Sequence, residues 1–547
     1  MVNSNSGHIV RMLIFFSLFF LKAQFDCFGI SNPEINSSGF VSSQKVLSGD
    51  FVLLHYQATI SGEASPERVA YAEVLDDSGM AVLQVMFELK DGKGQAIINL
   101  PDILPTGYYL LRAYTRLSKQ NFKSSGVFHH WLGVINPEQA PDRDLNGKIA
   151  QETYQEEGGG FQAEKRVFSP GEFIEIQVPN MRSDNLAIAA ALDFRSALSE
   201  IDLRDIQIRY EQEVSNTEIV PEIYGPIIKL KGGKADSKEP VLVNTSGKTN
   251  KFFASKWDKN GEVTIDLGKV STMDFLTLQS QEKEALGQVY METPFWKSKP
   301  IVDKWPQMVM TEDMYDVVKR VYIGKQLMDY FHPIPDISPS IVILNPSKSY
   351  LLRDYNAFDD LWTVFREYVG EVLVRSQGRK SLLRVINPST ERAFQNDPLI
   401  LLDGLPILDT DALLRHSPED IREIRVSNQV FLNHGVAFDG VIQLFSFKGD
   451  LGGFPVPKDL LLIPYSGLQP FREFNDWVLE IPTGKVPDKR RILYWDTLVK
   501  PQDDQGLSIK FTAPELPGDY VLRVHSWDKS HDKKVSTIHF EIKITGF

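Results

Sequence analysis

Cysteine is almost missing from this chain. Cys27 is the only one in 547 residues, so no intrachain disulfide can form and packing must supply the stability. Positive charge is in deficit: 59 Lys and Arg against 72 Asp and Glu leave a net charge of −13. No basic stripe with interleaved aromatics occurs either, which argues against a nucleic-acid partner. Beyond the N-terminus no apolar run is long enough for a membrane-crossing helix, so no membrane-spanning segment is expected in the mature chain. Catalytic signatures are absent too. There is no Gly-x-Ser-x-Gly elbow, no His-Glu-x-x-His zinc helix, no Gly-x-x-x-x-Gly-Lys-Ser/Thr phosphate loop and no Cys pair. The sequence therefore nominates no catalytic, cofactor-binding or metal residues, and the expectation is a protein that is not an enzyme.

What remains is a globular composition, with 42% hydrophobic residues over a length that suits roughly three to five domains. The N-terminus has the form of a secretory signal: Arg11, an apolar core from Leu13 to Leu21, and Leu21-Lys22-Ala23 before Gln24. Cys27 follows Asp26 rather than a small residue, which disfavours a lipid anchor. Export follows from this pattern.

Most of the chain alternates short β-type runs with Gly, Asp and Ser turns. Phe51–Tyr56, Val69–Leu75, Ala81–Leu89 and Gln95–Leu100 precede Leu104-Pro105-Thr106-Gly107, which opens Tyr108–Tyr114. Spacing of this kind predicts a β-sandwich. Phe173–Val178 alternates cleanly, and Asp258-Lys259-Asn260-Gly261 reads as a hairpin turn before Val263–Leu267. Near the C-terminus Leu516-Pro517-Gly518-Asp519-Tyr520-Val521-Leu522-Arg523-Val524 echoes Leu104–Ala113, as if one fold type were used twice. Helical spacing marks Thr311–Phe331, with Met314, Val317, Val318, Val321 and Tyr322 on one face, and Asn356–Val369, with Phe358, Leu361, Trp362, Phe365 and Val369.

The segment Asp397–Gly453 is the most informative. An apolar run to Leu402 stops at Asp403-Gly404; Ser417-Pro418-Glu419-Asp420 predicts a helix start; Ile421, Ile424 and Val426 lead into a strand, and Gly440 opens another, Val441–Phe447. A small α+β sheet is expected there.

These residues carry three resemblances. The LPTGYYLLRAYT string is similar to macroglobulin-type sandwich domains, although Cys27 lacks the neighbouring glutamine that their thioester needs. Val241–Val243, Phe252–Ala254 and the turn into Val263–Leu267 resemble the carboxypeptidase regulatory-like β domain. Leu401–Pro406, Ser417–Ile421 and Gly440-Val441-Ile442 resemble the plug domain of TonB-dependent outer-membrane receptors. In those receptors the plug sits inside a barrel of about 22 strands, and too few residues follow Phe447 here to build one.

The resulting expectation is mainly β and multidomain: tandem Ig-like (macroglobulin-like) β-sandwiches plus an α+β plug-like domain. Residues 1–23 would be a signal peptide, 31–138 a macroglobulin-like sandwich and 139–162 a linker. Residues 163–300 would hold a second β region with the regulatory-like sandwich, 301–453 the helices with the plug-like domain, and 454–547 a C-terminal Ig-like sandwich. The resemblances imply a non-enzymatic protein of a Gram-negative envelope, periplasmic or outer-membrane associated. It would dock to, gate or assist an outer-membrane channel for secretion or nutrient uptake. Its expected partner is an outer-membrane β-barrel or another envelope protein. The alternative is a glycan- or peptide-binding accessory of an uptake system, presenting Trp257, Trp296, Trp305, Trp495 and Trp527. An enzyme of unrecognised type is the third reading.

Several groups have plainer accounts. Asp258, Asn260 and Glu262 are too few for a calcium loop and fit a turn. His129 and His130 point to opposite faces of a strand and cannot easily share a metal. Asp409 and Asp411 cap a helix more simply than they do acid–base chemistry. Phe431, Phe438, Phe445 and Phe447 suit a core, and Lys485, Lys489, Arg490 and Arg491 a solvated loop.

Overall fold

The computed structural model describes residues 34–544 except 122–125, 140–160, 179–184, 195–205, 212–219, 236, 248, 269–272, 281–285, 287, 309–311, 332–339, 342–345, 379, 459, 466, 473–479, 483–485, 500–506 and 528–532. The expected signal peptide, Cys27 and most of the expected linker lie outside this range. The fold is mainly β, with many short sheets and few helices. Two compact units arise: one of Asn32–Ile223, Phe295–Asp336 and Gln469–Phe547, the other, in its described part, of Tyr224–Pro294 and Ile337–Leu468.

The first unit contains two sandwiches of the same topology. In the N-terminal one, Ile35–Val41, Phe51–Ile60 and Lys93–Asn99 form one sheet. The facing sheet runs Lys45–Leu47, Phe128–Ile135, Gly107–Tyr114, Val69–Leu75, Ala81–Glu88, with only its first pair parallel. Val52, Leu54, Ala72, Val74, Leu111 and Leu132 fill the space between, because side chains alternate faces along each strand.

Apart from the short strand Glu63–Ala64, which pairs with Phe51–Ile60 only in the first, the second sandwich repeats this order strand for strand. Gln162–Ala163, Phe173–Val178 and Leu507–Thr512 make the small sheet. Val167–Phe168, Lys533–Ile542, Gly518–Trp527, Asn185–Leu192 and Ile492–Val499 make the large one, again with a parallel first pair. One connection differs. The first sandwich joins its fourth and fifth strands by a turn in which the Asp76 carboxylate accepts from the Ser78 and Met80 N–H groups. The second joins Leu192 to Ile492 through residues 193–491, more than half of the chain. The expected C-terminal sandwich of 454–547 is therefore not closed on itself. Its missing strands come from the expected 163–300 region, and strand pairs cross both boundaries.

The echoed motif has the same geometry in both sandwiches. Tyr109 donates its hydroxyl to the Pro105 carbonyl at 3.0 Å, and Tyr520 to that of Leu516 at 2.9 Å. Each is a tyrosine four residues past its acceptor, pinning the entry to a strand. Gly518 opens its strand at φ 158, a value L side chains rarely adopt, and a Cβ there would meet Leu192 at 3.0 Å.

The helix Glu312–Phe331 belongs to this unit, not to the α+β domain that it was expected to complete. Met314, Val318 and Val321 join the core around Ile188, Leu516 and Phe540. Burying three such side chains contributes on the order of 5 kcal/mol.

In the second unit a small sandwich pairs Glu262–Asp266, Ile227–Lys231 and Tyr290–Glu292 in one sheet. The other holds Phe252–Ser255, Val241–Gly247, Met273–Gln279 and Leu461–Pro464. The last strand lies beyond the expected boundary at 453/454. Against it packs an α+β domain whose sheet runs Lys348–Leu351, Ile421–Ser427, Val441–Ser446, Leu399–Leu402, Leu405–Pro406.

The expected helix at Ser417 is not formed. Ile421–Ser427 is a strand with a bulge between Ile421 and Glu423, which puts Ile421, Ile424 and Val426 on the buried side despite their uneven spacing. Ser417 instead accepts from the Glu419 N–H in a local turn. The helix lies earlier, at Thr410–Leu414, with Asp409 as its N-cap. The helix expected at Asn356–Val369 is confined to Leu361–Glu367, capped by Asp360, and buries Val364 where Trp362 was expected.

Candidate functional site

Two places in the molecule concentrate side-chain chemistry. The first is a buried polar network on the outer face of the N-terminal sandwich. Glu73 and Arg112 stand directly opposite on adjacent strands. Both are almost wholly buried, and the guanidinium pairs with the carboxylate at 2.6–2.8 Å. Arg112 also donates to the backbone carbonyls of Trp296 and Ser298, each at 2.7 Å. Its planar face lies among Tyr114, Tyr210 and Trp296, 4.8–5.7 Å from the ring centres. The sequence signal was one charge of each sign inside two otherwise apolar strands, YAEVL and LLRAY. Only tertiary structure makes these two residues neighbours.

The rest of the network ties Tyr210 and Glu222 to the same sandwich. Tyr71 donates to Glu222 at 2.6 Å, and Arg116 pairs with the same carboxylate at 3.2 Å. Glu67 accepts from the Leu117 N–H. Burial pushes its carboxyl up to about 7, helped by the nearby Glu222 charge and opposed by Thr115, Leu117 and Arg116. His129 shares a 2.8 Å hydrogen bond with Tyr210, and burial, with Arg112 nearby, holds it down to about 4. His130 lies on the other strand face beside Phe128, so the two histidines do not meet.

Arg523 occupies in the second sandwich the position that Arg112 has in the first. It donates to the carbonyls of Val41 and Ser42, and burial brings it down to about 10. Each outer-face arginine thus grips a neighbouring element. The same contact carries Arg491, bidentate to Asp50 at 2.6 and 2.7 Å, and Trp495, stacked on Phe40. Arg490 is buried against Asp488, and Lys489 donates to the Glu515 carbonyl. The basic string is therefore not a solvated loop: its arginines pair with carboxylates two residues away and in the turn that precedes Phe51–Ile60. Lys485 lies outside the described residues.

The second place is the α+β domain. Asp403 and Gly404, at φ 48 and 87, close a two-residue hairpin. The Asp403 carboxylate then accepts from the Ser446 N–H and hydroxyl and the Leu451 N–H at 2.6–2.9 Å, joining the two central parallel strands at one end. Asp411 does not cap a helix with Asp409; it accepts from the Ser381 N–H. The phenylalanine run divides. Phe431 and Phe438 pack on Phe252, Phe445 is buried under Arg425, and Phe447 is exposed. Val430 and Leu432 are exposed on the hairpin Phe431–Asn433/Val436–Phe438.

Asp258 accepts from the Asn260 and Glu262 N–H groups, and Glu262 pairs with Lys229 and Lys231, which is a turn and not a cation loop. Among the described residues no group of acidic, His or Cys side chains is placed to hold a metal. The tryptophans expected as a binding face are spent on packing. Trp257, Trp296 and Trp495 are buried, and Trp305 donates to the Tyr108 carbonyl against Trp131. The Trp527 side chain lies outside the described residues. No described helix is long and apolar enough to cross a membrane.

No family model matches the chain, and no curated protein matches it. Among solved structures, the chain is similar to an alpha-2-macroglobulin of Salmonella at 10% identity and TM-score 0.16, covering 93% of this chain and 23% of that one. The native conformation of the E. coli alpha-2-macroglobulin gives 11% identity, 93% and 22% coverage, and TM-score 0.16. A beta-glucosidase from Listeria innocua, in complex with glucose, gives 9% identity over 19% of this chain and 16% of that one, at TM-score 0.14. The chain spans under a quarter of the length of these macroglobulins. Backbone overlap this slight fixes neither a common arrangement nor a common activity.

Proposed function

We propose that this is a non-enzymatic envelope protein that docks to an outer-membrane β-barrel through its α+β domain, a plug-like module acting on another molecule. One observation carries the reading. On this domain Val430 and Leu432 are each more than half exposed, while Phe431 between them and Phe438 opposite are partly buried against Phe252. Exposed apolar side chains that adjoin one another, as Val430 and Leu432 do at i and i+2, offer a contact surface. The buried networks at Arg112 and Asp403 support it from the other side, because their polar groups are committed to holding elements together. The sandwiches then serve as rigid spacers.

The experiment is crosslinking in isolated outer membranes followed by purification of the chain. Recovery of a barrel protein, reduced by Val430→Ser with Leu432→Ser, is the expected result. Recovery of the same partners at the same yield from that double variant, or turnover of an envelope polymer by the purified protein, would overturn the reading.

A further inference from the structure

The α+β domain carries a hairpin, Val372–Gln377 with Lys380–Asn387, whose outer strand ends its sheet. Its sequence holds Arg375, Arg379, Lys380 and Arg384 and no acid, within a chain of net charge −13. One face is core: Val372, Leu383 and Val385 are buried in a cluster with Val364 and Phe365 of the neighbouring helix. The other face sets Leu373 opposite Arg384 and Arg375 opposite Leu382. Leu373, Arg375 and Lys380 are exposed.

The hydrogen-bond phase of this hairpin follows from its two-residue turn. Gln377 and Lys380 flank the turn and so form a bonded pair, as do Arg375 with Leu382 and Leu373 with Arg384. Ile386 donates to the Glu371 carbonyl at 2.8 Å, which keeps the same phase. Ser381, in the alternate position, turns its N–H away from the ladder, to Asp411. By that alternation Val372, Val374 and Ser376 turn their backbone groups outward along the free edge. The Val372 N–H is taken by the Val369 carbonyl. No described strand adds to the edge at Val374 and Ser376.

We propose that this edge receives an extended segment of a partner protein in which acidic and aliphatic residues alternate. The incoming strand would pair with the main chain of Val374 and Ser376, setting its carboxylates on the exposed face beside Arg375 and its aliphatic groups on the opposite face beside Val374. Arg384 is already paired with Asp397, and Lys380 feels Asp411, so Arg375 is the principal cation on offer. The same charges exclude a second copy of this chain, since two such edges would set like charges together. The proposal rests on the docking reading and names the chemistry of the segment that docks.

The test titrates the full chain with a labelled peptide of alternating glutamate and valine. Binding that weakens with salt is expected. Arg375→Glu with Lys380→Glu should weaken it about ten-fold and transfer the preference to a peptide of alternating lysine and valine. Ser376→Pro, which removes an outward N–H and no ladder bond, should abolish it. Equal binding of both peptides by the parent chain, indifference to these substitutions, or capture on phosphatidylglycerol vesicles without peptide binding would overturn the proposal. So would concentration-dependent dimerisation lost in Ser376→Pro. Should a barrel protein crosslink while the peptide fails, the docking reading stands and the edge falls.

Discussion

Replacing Arg112 by Met should be among the most damaging single changes in this protein. The substitution keeps most of the side chain's length but strands Glu73, a carboxylate only 1% exposed, without its cation. Removing one partner of a buried ion pair costs about 3–5 kcal/mol. Glu73 keeps two donors, Tyr114 at 2.8 Å and Gln84 at 2.7 Å, which places the expected loss near the lower end. The carbonyls of Trp296 and Ser298 each lose a charged donor at the same time. Urea unfolding should show a midpoint lowered by about 1 M or more, and amide exchange across residues 295–302 should quicken. The double variant Arg112→Met with Glu73→Gln should recover much of the loss, because no uncompensated charge remains. A single variant within about 1 kcal/mol of the parent, or a double variant worse than the single, would refute the argument that charge burial holds this face together.

The two tyrosine corners give a paired test. Tyr520→Phe should cost about 1.5–3 kcal/mol, because the Leu516 carbonyl is left dry, and Tyr109→Phe about 1 kcal/mol; unfolding of both variants followed by near-UV circular dichroism checks the order. Glu67 gives a pH test. Its folded carboxyl titrates near 7 against an ordinary 4.5. The stability is therefore fully present below about 4.5 and lost as pH rises toward 7, by about 3 kcal/mol. Thermal midpoints between pH 5 and 8 should fall less steeply in Glu67→Gln, and an unchanged slope would exclude this group.

Much of the local structure was legible. The alternation of Phe173–Val178 marks its buried face, the Asp403-Gly404 pair marks a hairpin, and the repeated Leu-Pro-Gly-Tyr-Leu-Arg pattern marks one fold used twice. Each of these is written in adjacent residues, because side-chain alternation and turn backbone preferences act over a few positions. Helix placement near Ser417 failed for a related reason. A bulge shifts the phase of Ile421–Ser427 by one residue, and the uneven spacing that results imitates a helical stripe.

Pairing across the chain was decided by tertiary structure alone. Nothing in Asn185–Leu192 announces that its neighbour begins at Ile492, since main-chain hydrogen bonds carry no residue identity and an apolar face states only that it must be covered. The same holds for Glu73 with Arg112 and for Arg491 with Asp50: the sequence supplied the charges, and only the folded sheets brought each pair within reach of one another.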